Sequence, residues 1–253
     1  MNQATFRTIS HNAGFTLIEL AVSMFILALL LGAILVPLAT QVEERQIGET
    51  QKKQDEIKEV LIGFAVAQGY LPCPAVSARN GQEGNRTAGI CNSRFGYLPW
   101  QTLGVSQLDA WGQLYRYSVT PAFTNNTTTP TPVFTLTTPG DIAINTRDSA
   151  GAITSLASAN SVLAIVISHG KNGYGGVNEN DVAHFLPSSS GTPPIWPANF
   201  PDENANLTGT ISFVSRSKQQ EGATGGGGEF DDVVTWVPRF LLINRMITAG
   251  KLP

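Results

Sequence analysis

Apolar positions are concentrated near one end of the chain. From 20 to 38 only Ser23 has a side chain that can hydrogen-bond, and the wider stretch 15–39 adds just Thr16 and Glu19. As a helix, this stretch reaches ~37 Å against a hydrocarbon core of ~30 Å. The twelve Leu, Ile, Val and Phe side chains of 20–38, at roughly −0.3 to −0.6 kcal/mol each, outweigh one Glu near the end at a few kcal/mol. The pattern therefore predicts a membrane-spanning helix at 15–39.

Residues 41–68 contain no Pro and only Gly48 and Gly63 as weak breakers, so the helix is expected to continue as an extramembrane half over 40–68. Ile47, Thr50, Gln54, Ile57, Leu61 and Phe64 follow a 3-4 spacing whose second half is apolar, which suits burial of one face against a sheet. The proximal part, 41–56, is mostly polar. A helix over 16–68 would be near ~80 Å long, with a kink expected at Pro37. From 69 to 253 the pattern changes to short apolar runs split by Gly, Pro, Asn and Thr, which reads as a β-rich head. Strands are expected at 114–119, 133–136, 141–144, 162–168 and 211–215, and a short terminal helix at 238–249, with Pro238 at its start and Gly250 after it. The Thr-rich stretch 124–132 reads as an exposed loop, and 188–201 and 221–228 as mobile segments.

A secretory signal peptide has a shorter apolar core followed by small residues at a cleavage site, whereas this run is long and leads into polar helix. A plain signal anchor accounts for everything except Glu19, because an ionisable group inside a membrane segment is costly and calls for a partner. The string Gly14-Phe15-Thr16-Leu17-Ile18-Glu19-Leu20, after a short hydrophilic leader, resembles the processing site of type IV pilins and type II secretion pseudopilins. The resemblance implies that prepilin peptidase removes the leader 1–14 by cutting after Gly14, that the new N-terminal Phe15 is methylated, and that Glu19 serves assembly. Cutting before the apolar run keeps the anchor and exposes an amine. In a medium of low dielectric constant, that amine is a natural counter-charge for Glu19 of a neighbouring subunit. Arg7 precedes the span while Arg45, Lys52 and Lys53 follow it, against the positive-inside rule; the processing motif sets the orientation with the N-terminus inside.

The composition narrows the rest. Charged residues are 14% of the chain, against ~25% in an average domain, and sixteen Lys and Arg against nineteen Asp and Glu leave a net charge of −3. Nucleic acid is thus not an expected partner. Three His and two Cys without close spacing argue against a zinc site. Outside the cytoplasm, Cys73 and Cys91 should form a disulfide worth roughly 3 kcal/mol, with Cys73 in the turn Leu71-Pro72-Cys73-Pro74; two free buried thiols are the alternative.

Two further strings bear on chemistry. Residues 108–117, with Asp109, Trp111 and Gly112, resemble the Asp-Pro-Trp-Gly signature of major pseudopilins, with Ala110 in place of the proline. The Gly-rich stretch 168–176, followed by Asn178, Glu179 and Asp181, is similar to a loop that helps to bind calcium in those proteins. Asp231 and Asp232 are further carboxylate candidates for such a site. The bland alternative is that these residues are solvated on hairpins. Catalysis is not expected: Ser168 and His169 are adjacent and should point to opposite strand faces, Gly-x-Ser-x-Gly is absent, and Gly170-Lys171 lacks the rest of a phosphate loop.

The fold expected is α+β: a pilin-like lollipop, with a long N-terminal helix on a β-rich head built around an antiparallel sheet. The function it implies is a structural pilin or pseudopilin subunit of a type IV pilus or type II secretion system. It would be held in the bacterial inner membrane by a single pass, with a periplasmic head, and would partner other such subunits in a filament. A membrane-anchored periplasmic binding module that does not assemble is the alternative.

Overall fold

The computed structural model describes residues 16–180, 200–208, 211–219 and 226–253, the side chains of 33–39 excepted. Gly14, Phe15 and Asp181, with the leader 1–14, fall outside the described residues. The chain divides into two compact units, Met1–Arg45 and Gln46–Pro253.

Helix α1, Leu17–Gln68, begins in the first unit, and Pro37 lies within it. Its large apolar side chains between Leu17 and Leu31 are exposed, from 49% at Leu20 to 89% at Leu17. Among the described residues no helix is long and apolar enough to cross a membrane. The described side chains of the apolar run stop at Gly32, short of the ~20 residues of a span, and the span expected at 15–39 extends past them at both ends.

In the second unit the remainder of α1 buries Thr50, Gln54, Ile57 and Leu61 of the face that the 3-4 spacing predicts, together with Ile62 and Ala65, while Ile47 and Phe64 of that face are half-buried. The chain continues through β1 (Arg86–Thr87), β2 (Ile90–Cys91), β3 (Phe95–Tyr97), α2 (Trp100–Leu103), β4 (Arg116–Val119), β5 (Ala143–Arg147), β6 (Ile153–Ala157) and β7 (Val162–Ser168). It ends with α3 (Pro201–Leu207), β8 (Ser212–Val214), β9 (Val233–Pro238) and α4 (Arg239–Thr248). The central sheet has the order β3-β4-β7-β9 and is antiparallel throughout. A second sheet, β6-β5-β8, pairs β5 antiparallel with β6 and parallel with β8.

Strand β7 is buried along its whole length because both of its faces are covered. Leu163, Ala164 and Val166 join Ile57, Leu61 and Ala65 of α1 and Leu242 and Met246 of α4 in one core. Val162, Ile165 and Ile167 share a second core with Ile144 and Phe213 of the second sheet and with Ile142, just before β5. A register shift between Val162 and Ala164 puts the adjacent Leu163 and Ala164 in the same core.

Strand β7 coincides with its predicted span, and β4, β5, β8 and α4 lie within a few residues of theirs. The strand expected at 133–136 does not form. Phe134 instead anchors an irregular segment by packing on Phe123 at a centroid distance of 4.5 Å, with Val133 and Leu136 exposed. The nearby Pro130 and Pro132 also lack ladder donors. Strands β1, β2, β3, β6 and β9 are not among the expected ones. Cys73 is bonded to Cys91, 18 positions on, but it is buried at 1% exposure and not in a surface turn.

Candidate functional site

At the start of α1, Thr16 and Glu19 bond reciprocally. The main-chain N–H and hydroxyl of Thr16 donate to Glu19 Oε2 at 2.9 and 2.8 Å, and the N–H of Glu19 donates to Thr16 Oγ1 at 3.3 Å. This is a capping box, which satisfies N–H groups that the first helical turn leaves without partners. Ser23 donates to the carbonyl of Glu19 at 2.7 Å, so the two hydrogen-bonding side chains nearest Glu19 are both tied to the helix end.

The polar part of α1 is more than a solvated face. Gln46 Nε2 donates to the carbonyl of Ala110 and Lys53 Nζ to that of Leu108, both at 3.4 Å, while the Ala110 N–H donates to Thr50 Oγ1 at 3.2 Å. Spacings of four and three residues align these three side chains on one helix face. The departure from the pseudopilin signature thus has a structural counterpart, since a proline at 110 would have no N–H to give to Thr50. Asp109 holds the turn together: its Oδ1 accepts the N–H groups of Trp111 and Gln113 at 2.8 and 2.9 Å, and its Oδ2 accepts Ser168 Oγ at 2.6 Å. Burial raises its pKa, and these donors oppose the rise.

The antiparallel register assembles a second site. Ser168 ends β7 opposite Val233, the first residue of β9, so 169–172 after one strand run beside 231–232 before the other. Gly170 has φ +59, and a Cβ there would lie 2.4 Å from Asp231 Oδ1, which only glycine avoids. His169, fully buried, approaches Asp232 Oδ1 through Nδ1 at 3.3 Å. Ser168 and His169 therefore have separate carboxylate partners, Asp109 and Asp232.

Helix α3 supplies the third side. Asp202, Glu203 and Asn206 are buried, and the spacing of three puts Glu203 and Asn206 on one face. Asn206 is fixed by both main-chain groups of Val214, and its Nδ2 donates to Asp232 Oδ2 at 2.7 Å. Asp202 is held by Arg147 at Nε and Nη2 and by Arg216 at Nε, all at 2.7 Å. Asn172 joins the remaining carboxylates. Its Nδ2 donates to Glu203 Oε1 at 2.9 Å and to Glu229 Oε1 at 3.3 Å, and its N–H donates to Asp231 Oδ2 at 2.8 Å.

Ligand atoms of Glu203, Asp231 and Asp232 lie within 4.8 Å of one another. Burial, then the charges of Asp232 and Asp231, push the Glu203 carboxyl well above the usual range. Asp231 is pushed up to about 7, again chiefly by burial, with Asp232 and Glu229 adding to the N–H-opposed rise. The cluster thus gathers two of the carboxylates singled out in the sequence. Asn178 instead bridges to Gln113 and Glu179 is exposed; Asp181 lies outside the described residues. Sequence reasoning missed Glu203 and Glu229. The available signal was Pro201-Asp202-Glu203, a proline followed by acids as at a helix start.

No curated protein and no solved structure is significantly similar to the chain. Residues 9–35 match the model of the prokaryotic N-terminal methylation motif, so the chain carries the prepilin-type signal of type IV pilins and pseudopilins.

Proposed function

We propose that the protein is a structural pilin-type subunit, a pseudopilin or minor pilin, cut after Gly14 by prepilin peptidase and built into an inner-membrane-based filament through α1. The observation that carries this reading is the methylation motif at 9–35, with Glu19 inside it. The exposed apolar side chains of Leu17 to Leu31 support it, because a stripe of this kind needs lipid or neighbouring helices to cover it. In this reading, residues 15–39 form the membrane anchor, 69–253 form a periplasmic head, and other pilin or pseudopilin subunits are the partners. The head is larger than a compact repeating subunit needs, which favours a minor role in a type II secretion pseudopilus or type IV pilus.

Mass spectrometry of the N-terminus of membrane-extracted protein tests it. The expected mature chain begins at methylated Phe15. An intact Met1 terminus in cells with active peptidase would overturn the proposal.

A further inference from the structure

Strand β6 ends the second sheet without the protection that an outer strand normally carries. Ile153, Thr154, Ser155 and Leu156 are all exposed, Ile153 at 59% and Leu156 at 50%. No charged residue and no proline lies between Asp148 and His169, so the charges and prolines that blunt an exposed edge are missing. Strand β3, which ends the central sheet, differs: Ala75 closes it by exchanging main-chain hydrogen bonds with Tyr97 at 2.8 and 3.0 Å.

The hairpin sets which main-chain groups of β6 face outward. The N–H of Asp148 donates to the carbonyl of Ala152 at 3.0 Å, which makes these two a hydrogen-bonded pair. Pairing then alternates along Arg147 with Ile153, Thr146 with Thr154 and Asn145 with Ser155, and this turns the N–H and C=O of Ile153 and Ser155 away from β5. Among the described residues these groups find no partner. Unpaired main chain on an extended apolar strand is a template for another strand.

We infer that β6 docks against β6 of a second copy of this chain, antiparallel and centred on Thr154. Charge selects a second copy as the occupant: an isologous contact sets like residues near one another, which charged side chains oppose and the neutral ones of β6 allow. In this register Ile153 lies opposite Ser155 of the second copy, and the reverse, so every outward N–H and C=O of the two residues meets its complement. The two Ile153 side chains lie on a diagonal of ~7–8 Å, within reach of each other, and cover apolar surface that a single chain exposes. The second sheet becomes continuous through two heads. Neither Glu19 nor α1 takes part, so the pairing is independent of assembly through the N-terminal helix.

The test uses the full processed chain in detergent, with one cysteine added at a time. The two Thr154 positions would form a non-hydrogen-bonded pair with Cα atoms ~4.5 Å apart, in reach of a disulfide. Mild oxidation of Thr154→Cys should therefore give a linked dimer on a non-reducing gel. Ala150→Cys, whose two copies would be roughly 26 Å apart in this register, should stay monomeric. Ile153→Lys, at an exposed position, should cut the linked dimer of Thr154→Cys at least tenfold and leave the melting of the head unchanged. Failure of folded Thr154→Cys to link to itself would overturn the inference, whether it stays monomeric or links to a different protein. So would equal linking at 150 and 154, or linking that survives Ile153→Lys. The proposed function would stand in each of those cases, because it rests on the N-terminal motif.

Discussion

Glu203 Oε1 accepts the main-chain N–H of Asp231 at 3.2 Å, which places two acidic residues 28 positions apart in one buried site. Because burial and neighbouring carboxylates raise both carboxyl pKa values, Asp231 to about 7, the folded chain holds protons that the unfolded chain has released. Stability from these groups is therefore full below the ordinary carboxylate range and is lost as pH rises through 7. The melting temperature should fall between pH 5 and pH 8. Asp231→Asn should flatten that slope, and thermal melts across the range measure both.

Gly170→Ala tests whether the loop after β7 needs its close approach to Asp231. The new Cβ would meet Asp231 oxygens at 2.4 Å from a residue at φ +59. A loss of at least about 1–2 kcal/mol from the left-handed backbone alone is expected, read as a lower urea midpoint.

Thr50→Val keeps the shape of a fully buried side chain and removes the acceptor for the Ala110 N–H. The orphaned donor should cost about 1–3 kcal/mol. Equilibrium unfolding in urea gives the value. Wild-type stability in Thr50→Val would show that the loop at 108–110 does not rely on this helix contact.

Reducing the Cys73 to Cys91 bond should destabilise the head by roughly 3 kcal/mol, from release of the closed loop in the unfolded chain. Denaturant melts with and without reductant measure it. Alkylation of both thiols in unreduced, denatured protein would show that the bond does not form in the cell.

Glu19→Ala is expected to leave the melting of the head unchanged, because among the described residues the hydrogen bonds of the Glu19 side chain are to Thr16 at the start of α1. On the proposed function, loss of its charge would remove the counter-charge for a neighbour's Phe15 amine, and with it one reason for subunits to align. Processed protein should reach the membrane at normal levels while incorporation into sheared filaments falls several-fold, followed by cross-linking and blotting.

The local features were legible in the sequence where one physical preference acted alone. The apolar run and Glu19 stand out without any partner, and the spacing of Thr50, Gln54, Ile57 and Leu61 sets their helix face because the period of the helix is fixed. Strand β7 could be read because six consecutive apolar residues, Val162 to Ile167, require cover on both sides. The segment 133–136 has the same local texture and fails as a strand, since packing one ring, Phe134 on Phe123, satisfies it without a ladder.

The acidic cluster was decided by tertiary structure alone. Asp231 and Asp232, with Glu229 two positions before, stand out in the sequence as carboxylate candidates, but nothing local ties them to Glu203 or Asp202. The register that sets Ser168 opposite Val233, and the docking of α3 through Asn206 onto Val214, bring these groups together. Electrostatic cost depends on distance and burial, which are properties of the folded chain. The amino-acid sequence thus determined the methylation motif and the helix that follows it, because both are written in consecutive residues, whereas the convergence of buried carboxylates exists only once distant segments share one interior.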